Sequence, residues 1–356
     1  MLNLLNEISS LWVGIISIVI LLLIIAVTTV VNLKMKKSTV FSNAISFLLS
    51  LVIAIFLCKP LLSLFDKMFS FSTIFFNAFM LEFGQINSLN VQVTMTNYTA
   101  SVNNFKDASV GISDTLKSFL VKVFENTTAP SDTPTTLGAI ASMSVSYMFA
   151  LFIVALILFI VSFILIKVLM KFIKSKIKKE KNSSQKVLCA IIGVAKSLVI
   201  SLIVLISVSS LPILGISTDY FANGFETTKV LYPLYSTVVK AEQDIYINSI
   251  DFTKVNRKIY QSKDNLEYGI YQNDIEGAEH RVNVSLTNLN ATVNILNFTT
   301  STTENYICSY IYANNTLYMF NSGKLMYVFQ YNAKDKKLKY KTTSYNKNAI
   351  YVLSLI

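Results

Sequence analysis

Four long apolar runs interrupt this chain, at about residues 11–32, 43–64, 143–170 and 187–211. Each is near or above the roughly 20 residues a helix needs to cross a hydrocarbon core about 30 Å thick. Lipid offers no hydrogen bonds, so a segment of this kind satisfies its backbone by coiling into a helix. The pattern therefore predicts a four-span, all-α membrane domain over residues 1–215, with a long loop at 65–137 between the second and third spans. That loop has its own periodicity. Phe69, Phe71, Phe75, Phe76, Phe79 and Phe83 make one aromatic-rich stretch, and Ile112, Leu116, Phe119, Leu120 and Val123 recur at helical spacing. Both read as amphipathic helices lying at the membrane surface, re-entering it, or packing on the bundle. Residues 128–136, TAPSDTPTT, read as a linker leading into the third span.

Beyond residue 215 the period changes. Val282, Val284 and Leu286 alternate with Asn283, Ser285 and Thr287, and Leu338 and Tyr340 alternate with lysines. Asn321-Ser322-Gly323 and Ala333-Lys334-Asp335 read as hairpin turns. Residues 216–356 are thus expected to form a small, mainly antiparallel β domain, strand-rich from about residue 280.

Charge gives the spans a direction. The loop after the first span holds Lys34, Lys36 and Lys37, and the loop after the third holds Lys171, Lys174, Lys176, Lys178 and Lys179. Residues 65–137 carry four lysines against six acids. Lysine-rich loops stay cytoplasmic, which places both termini and the β domain outside the cell membrane. The formal net charge of +11 belongs mostly to residues 1–215, so a nucleic-acid partner is not expected; the bilayer is. Cys58 and Cys189 fall in apolar runs and Cys308 stands alone in the tail, so the β domain has no disulfide framework. The only charged side chain ahead of the first run is Glu7, the reverse of a cleavable signal peptide.

Three stripes of small residues recur every four positions: Ser46, Ser50, Ala54 and Cys58; Gly138, Ser142, Ser146 and Ala150; and Cys189, Gly193, Ser197 and Ser201. Such faces let helices approach closely, within one chain or between copies in a homo-oligomer. Lys196 lies ten residues beyond Lys186. At 1.5 Å per residue that is about 15 Å along the axis, deep in the membrane. No Asp or Glu occurs in any span to pair with it. A lysine there costs about 2.5–3.5 kcal/mol on insertion, so it should face a polar cavity or an anion, or snorkel to a headgroup.

The segment QKVLCAIIGVAKSLVISLIVLISVSSLP, residues 185–212, resembles the fourth span of the colicin V production protein (CvpA) family. Lys186, Gly193 and Lys196 match that pattern, while Cys189 and Ser197 replace its usual glycines. Residues 42–65, with Pro60 near the end, are similar to the family's second span. The Gly, Arg and Glu common in the family's first loop are not evident in VNLKMKKST, and the long loop and tail have no counterpart in its short members. The resemblance implies a plasma-membrane protein supporting toxin or bacteriocin production, export or envelope homeostasis. The alternative reading makes the spans an anchor and the Tyr-rich tail a binding or sensing module for the wall or a protein partner. Enzyme chemistry is not expected. The lone His280 has no nucleophile motif beside it, and neither a metal-ligand cluster nor a phosphate-binding glycine loop calls for a cofactor.

Overall fold

A computed structural model of the chain describes all residues except 1, 70, 109–110, 128–134, 177–184, 214–219, 230, 251–265, 275, 277, 289, 314 and 342–351. The side chains of 2–11, 37, 173–176, 185, 211–213 and 220 are likewise outside the description. Most of the Pro/Thr linker, Lys178 and Lys179 therefore lie outside the described residues, as do the side chains of Lys37, Lys174 and Lys176.

In chain order, α1 (Leu2–Lys34) and α2 (Lys37–Phe69) are followed by the short α3 (Phe71–Ile74) and α4 (Phe76–Phe83). Next come β1 (Gln92–Val93), α5 (Tyr98–Asp107), α6 (Asp114–Asn126), β2 (Thr135–Thr136) and α7 (Leu137–Lys176). After α8 (Gln185–Ile213), α9 (Tyr220–Thr228) and α10 (Tyr232–Ser249), the strands are β3 (Gly269–Asn273), β4 (His280–Leu286), β5 (Asn290–Asn297) and β6 (Thr303–Ala313). They continue as β7 (Thr316–Asn321), β8 (Lys324–Asn332), β9 (Lys337–Lys341) and β10 (Val352–Leu355). Polar residues start the helices that need a defined entry. The Ser113 hydroxyl accepts from the Leu116 amide at 3.1 Å ahead of α6, and the Thr136 hydroxyl accepts from the Ala139 amide at 3.1 Å ahead of α7.

Contacts divide the chain into two compact units. The first comprises Met1–Phe71, Ile112–Phe119 and Met148–Ser249. It holds α1, α2, α8 and α7 from Met148 onward, and these are the four helices among the described residues long and apolar enough to cross a membrane. Their outward faces carry Trp12, Leu23, Phe56, Leu165, Phe172 and Val187, Phe56 being 73% exposed. Apolar surface on this scale requires lipid as its solvent, so the chain is a multi-pass membrane protein. Inside the bundle α8 packs on α1, α2 and α10, and α1 also packs on α9. Gly14 sits against the Gly224 carbonyl, where any Cβ would collide. The rings of Phe47 on α2 and Phe159 on α7 meet edge-on at 5.5 Å.

The second unit comprises Ser72–Gly111, Leu120–Tyr147 and Ile250–Ile356. Its centre is a closed eight-stranded barrel in which each strand from β3 to β10 runs antiparallel to the next. Closure comes from β10 pairing with β3, Leu353 opposite Asn273 and Leu355 opposite Tyr271. Among the described residues the barrel strands thus start at Gly269, ahead of the alternation visible near residue 280. Alternation sends Tyr271, Tyr310, Tyr312, Tyr327, Tyr331 and Tyr340 inward with Val282, Val284, Val293, Leu317, Phe329 and Leu338. The opposite face of β7 is equally dry: Tyr318 and Phe320 are buried outside that lumen.

The loop between the second and third spans covers that face. The Phe76 ring meets Tyr318 edge-on at 6.2 Å, and the Tyr318 hydroxyl donates to Asn77 Oδ1 at 2.6 Å. The Leu325 amide donates to the Gly84 carbonyl at 3.1 Å. Asn90 ties the loop to itself, its side-chain amide reaching the carbonyls of Phe83, Gly84 and Ile86 at 2.9–3.1 Å. A short ladder pairs Gln92 with Thr136. The Tyr98 hydroxyl donates to the Phe124 carbonyl at 2.8 Å, and burial pushes the Tyr98 phenol up to about 12.

Candidate functional site

Most residues of the three small-residue stripes are shielded from solvent. Ser46, Ser50, Ala54, Ser142, Ser146, Ala150, Cys189 and Ser197 are buried, and Cys58 and Ser201 are half-buried. Gly193 faces α1, where an added Cβ would stand 3.2 Å from Thr29 Cα and from the Asn32 side chain. The hydroxyls of Ser50 and Ser197 fold back onto their own helices, donating to the carbonyls of Ser46 and Val194 at 2.5 and 2.7 Å. Asn32 Nδ2, Ser46 Oγ and Ser201 Oγ are buried with no hydrogen-bond partner among the described residues.

Lys196 belongs to this interior. It is half-buried, with its ammonium 5.7 Å from the centroid of the Phe47 ring. Lys167 of α7 has its ammonium 5.5 Å over the Phe163 ring. Among the described residues no carboxylate forms an ion pair with Lys196. Lys34, Lys36 and Lys171 are exposed.

A second cluster surrounds Glu242 of α10, outside the four apolar runs, where the sequence pattern singles out no site. Glu242 is 5% exposed and packs on α8, where the hydroxyls of Ser209 and Ser210 donate to its two carboxylate oxygens. The Tyr246 hydroxyl lies 3.4 Å from Ser210 Oγ. Burial raises the Glu242 carboxyl above its ordinary value, and the hydrogen bonds from Ser209, Ser210 and Tyr246 oppose that rise. No charged group of α8, α9 or α6 contributes to the shift. The neighbouring Gln243 donates to the Thr115 carbonyl at 3.3 Å and accepts from Ser118 at 3.5 Å, fixing α10 against the start of α6. A pair of adjacent serines ending an apolar run, read against a later helix with an acid on its apolar face, is the signal that would have found this cluster.

The barrel is the third region. An eight-stranded barrel has room for one small ligand or for its own side chains. Here six tyrosines fill it, and several hydroxyls reach the rims: Tyr310 donates to the Thr287 carbonyl at 2.6 Å, Tyr271 to the Glu267 carbonyl at 2.8 Å and Tyr312 to Asn315 Oδ1 at 3.1 Å. Burial pushes the Tyr312 phenol up to about 12 and the Cys308 thiol up to about 11, so both are neutral at physiological pH.

No family model, curated protein or solved structure matches the chain. Among the described residues no three of His, Cys, Asp or Glu come together as a metal site. His280 sits on β4 with its Nε2 3.2 Å from Asn297 Nδ2, in a cross-strand amide contact.

Proposed function

We propose that this protein is a multi-pass component of a bacterial plasma membrane whose helices anchor a barrel-centred module outside the cell, and that the module works by binding a partner. The observation that carries this reading is the shared core of the barrel unit: Phe76, Asn77 and Gly84 from the inter-span loop bond to or pack on Tyr318 and Leu325 of the barrel. A passive tether needs no such construction. It gives the barrel a fixed mount and leaves its remaining outer surface free for a partner. The outside placement is supported by the lysine-rich loops, and the non-catalytic reading by a lumen closed with tyrosine. The test is removal of residues 266–356 with membrane insertion verified. Cells lacking the native protein should keep their defect when given the shortened chain, and full rescue would refute the reading.

A second reading is favoured by Lys196 and the unpartnered donors Asn32, Ser46 and Ser201 in the bundle. It makes the helical unit a CvpA-like support for toxin or bacteriocin production, export or envelope homeostasis, with Lys196 facing an anion or a lipid headgroup. Lys196→Met and Lys196→Leu should then fail to rescue a deletion strain although the protein accumulates normally; complete rescue removes this role.

A further inference from the structure

The outer face of β8, β9 and β10 carries a row of lysines beside a depression of about 540 Å³. Asn315, Gln330, Asn332, Lys334, Lys337 and Lys339 supply its polar lining. Register explains the row. On β9, Leu338 and Tyr340 point into the lumen, so Lys337, Lys339 and Lys341 all point outward. Residues two apart on a strand are about 6.7 Å apart, which makes a regular ladder of positive charge.

Two ordinary explanations for such a ladder fail here. Lysines commonly guard the free edge of a sheet, but β9 is paired on both sides, with β8 and with β10. Cross-strand ion pairs are the other, yet Lys337 lies between Asn332 and Ser354, Lys339 between Gln330 and Val352, and Lys341 beside Val328. Like charges so placed repel one another and lower stability unless something neutralises them. Two carboxylates of the described residues, Asp335 and Glu267, are otherwise engaged: Asp335 accepts from Asn332 Nδ2 at 2.7 Å, and Glu267 pairs with Lys336 at 3.1 Å. Asn332 Oδ1 also accepts from the Lys334 and Asp335 amides at 3.1 and 3.4 Å, so the turn that presents Lys334 is held in shape.

We infer that this face of the barrel binds a linear polyanion with repeating phosphate groups, Lys334, Lys337 and Lys339 meeting the phosphates while Gln330, Asn315 and Asn332 offer amides. A ladder fits a repeating polymer better than a single small anion, because several evenly spaced charges are neutralised at once. The inference rests on the reading of the barrel unit as a binding module and names the chemistry of its partner.

The full chain in nanodiscs of neutral lipid should be titrated with fluorescently labelled linear polyphosphate and followed by anisotropy. Binding is expected to weaken steeply between low and moderate salt. K334Q/K337Q/K339Q should weaken it by about tenfold or more at low salt, through the loss of three phosphate contacts. Lys240→Gln, on α10 in the other unit, should leave it within about twofold. Unchanged binding by the triple variant, or an equal loss with Lys240→Gln, overturns the inference, as does inorganic phosphate competing as well as the polymer per phosphate. If the triple variant binds normally while deletion of residues 266–356 still abolishes rescue, the lysine face is wrong and the barrel module stands. If the deleted chain rescues fully, the module reading itself falls.

Discussion

Removing the hydrogen bond between Tyr318 and Asn77 tests how firmly the inter-span loop holds the barrel. Tyr318 is 0% exposed, whereas Asn77 is half-buried, and the bond between them is 2.6 Å long. Tyr318→Phe deletes the donor and leaves Asn77 Oδ1 able to turn to water, so it should cost about 1 kcal/mol, the ordinary net value of such a bond. Asn77→Ala does the opposite. It takes the Asn77 acceptor from a buried phenol hydroxyl and leaves only the Thr316 hydroxyl beside it, at about 1–3 kcal/mol. The second substitution should therefore be the more damaging, although it removes the smaller side chain. Combining them should cost less than their sum by about 1 kcal/mol, since that hydroxyl is gone in the double variant. Tyr318→Ala also empties the space beside Phe76 and should cost about 3–5 kcal/mol. Urea unfolding of the full chain in micelles, followed by the near-ultraviolet dichroism of tyrosine, measures all four. Strict additivity, or Tyr318→Phe costing more than Asn77→Ala, would refute the reasoning.

Acidification should tighten the docking of α10 on α8. The folded Glu242 carboxyl titrates above the ordinary 4.5, so the folded state holds the proton more strongly. Its contribution is full below the unfolded value and is lost as pH rises through the folded value. Protection of α10 amides from hydrogen exchange, corrected for intrinsic rate, should rise as pH is lowered, and Glu242→Gln should abolish that trend; equal trends in both proteins argue against it. Gly193→Leu should force α1 and α8 apart at Thr29 and Asn32 and cost about 1–3 kcal/mol, read as a lower midpoint in detergent unfolding. A midpoint unchanged from wild type would mean the two helices do not pack as described. Cys308 should alkylate in the native barrel at least about a hundredfold more slowly than after unfolding, from the rise of its thiol to about 11 and its full burial. Rapid native labelling would show the lumen to be open.

The four membrane helices were legible because each needs only its own composition: Leu, Ile, Val and Phe over a span length suffice. The expected order of apolar helices first and antiparallel strands afterwards is also what the structure shows. The turn at Ser322-Gly323, with both residues at positive φ, was readable from its residue types alone. The partner of the aromatic stretch was not. Phe76 meets Tyr318, far along the chain, and nothing local in either segment names the other. Closure of the barrel was hidden for the same reason, since β3 and β10 are short and their pairing is set by the whole circuit of strands between them. Glu242 escaped notice because it lies on a helix outside the apolar runs, and burial depends on which face α8 covers.

The seam between β3 and β10 has a consequence for biogenesis. Until Val352–Leu355 arrives, the sheet from β3 to β9 exists only as an open strip with two unpaired edges, and its six tyrosines face no opposite wall. Joining Tyr271 to Leu355 closes a long loop, the slowest kind of contact to form. During synthesis the barrel must therefore pass through a sticky intermediate whose lifetime is set by the delivery of its last strand. A chaperone acting at that moment would recognise the bare edge of β3, a feature the finished molecule no longer displays.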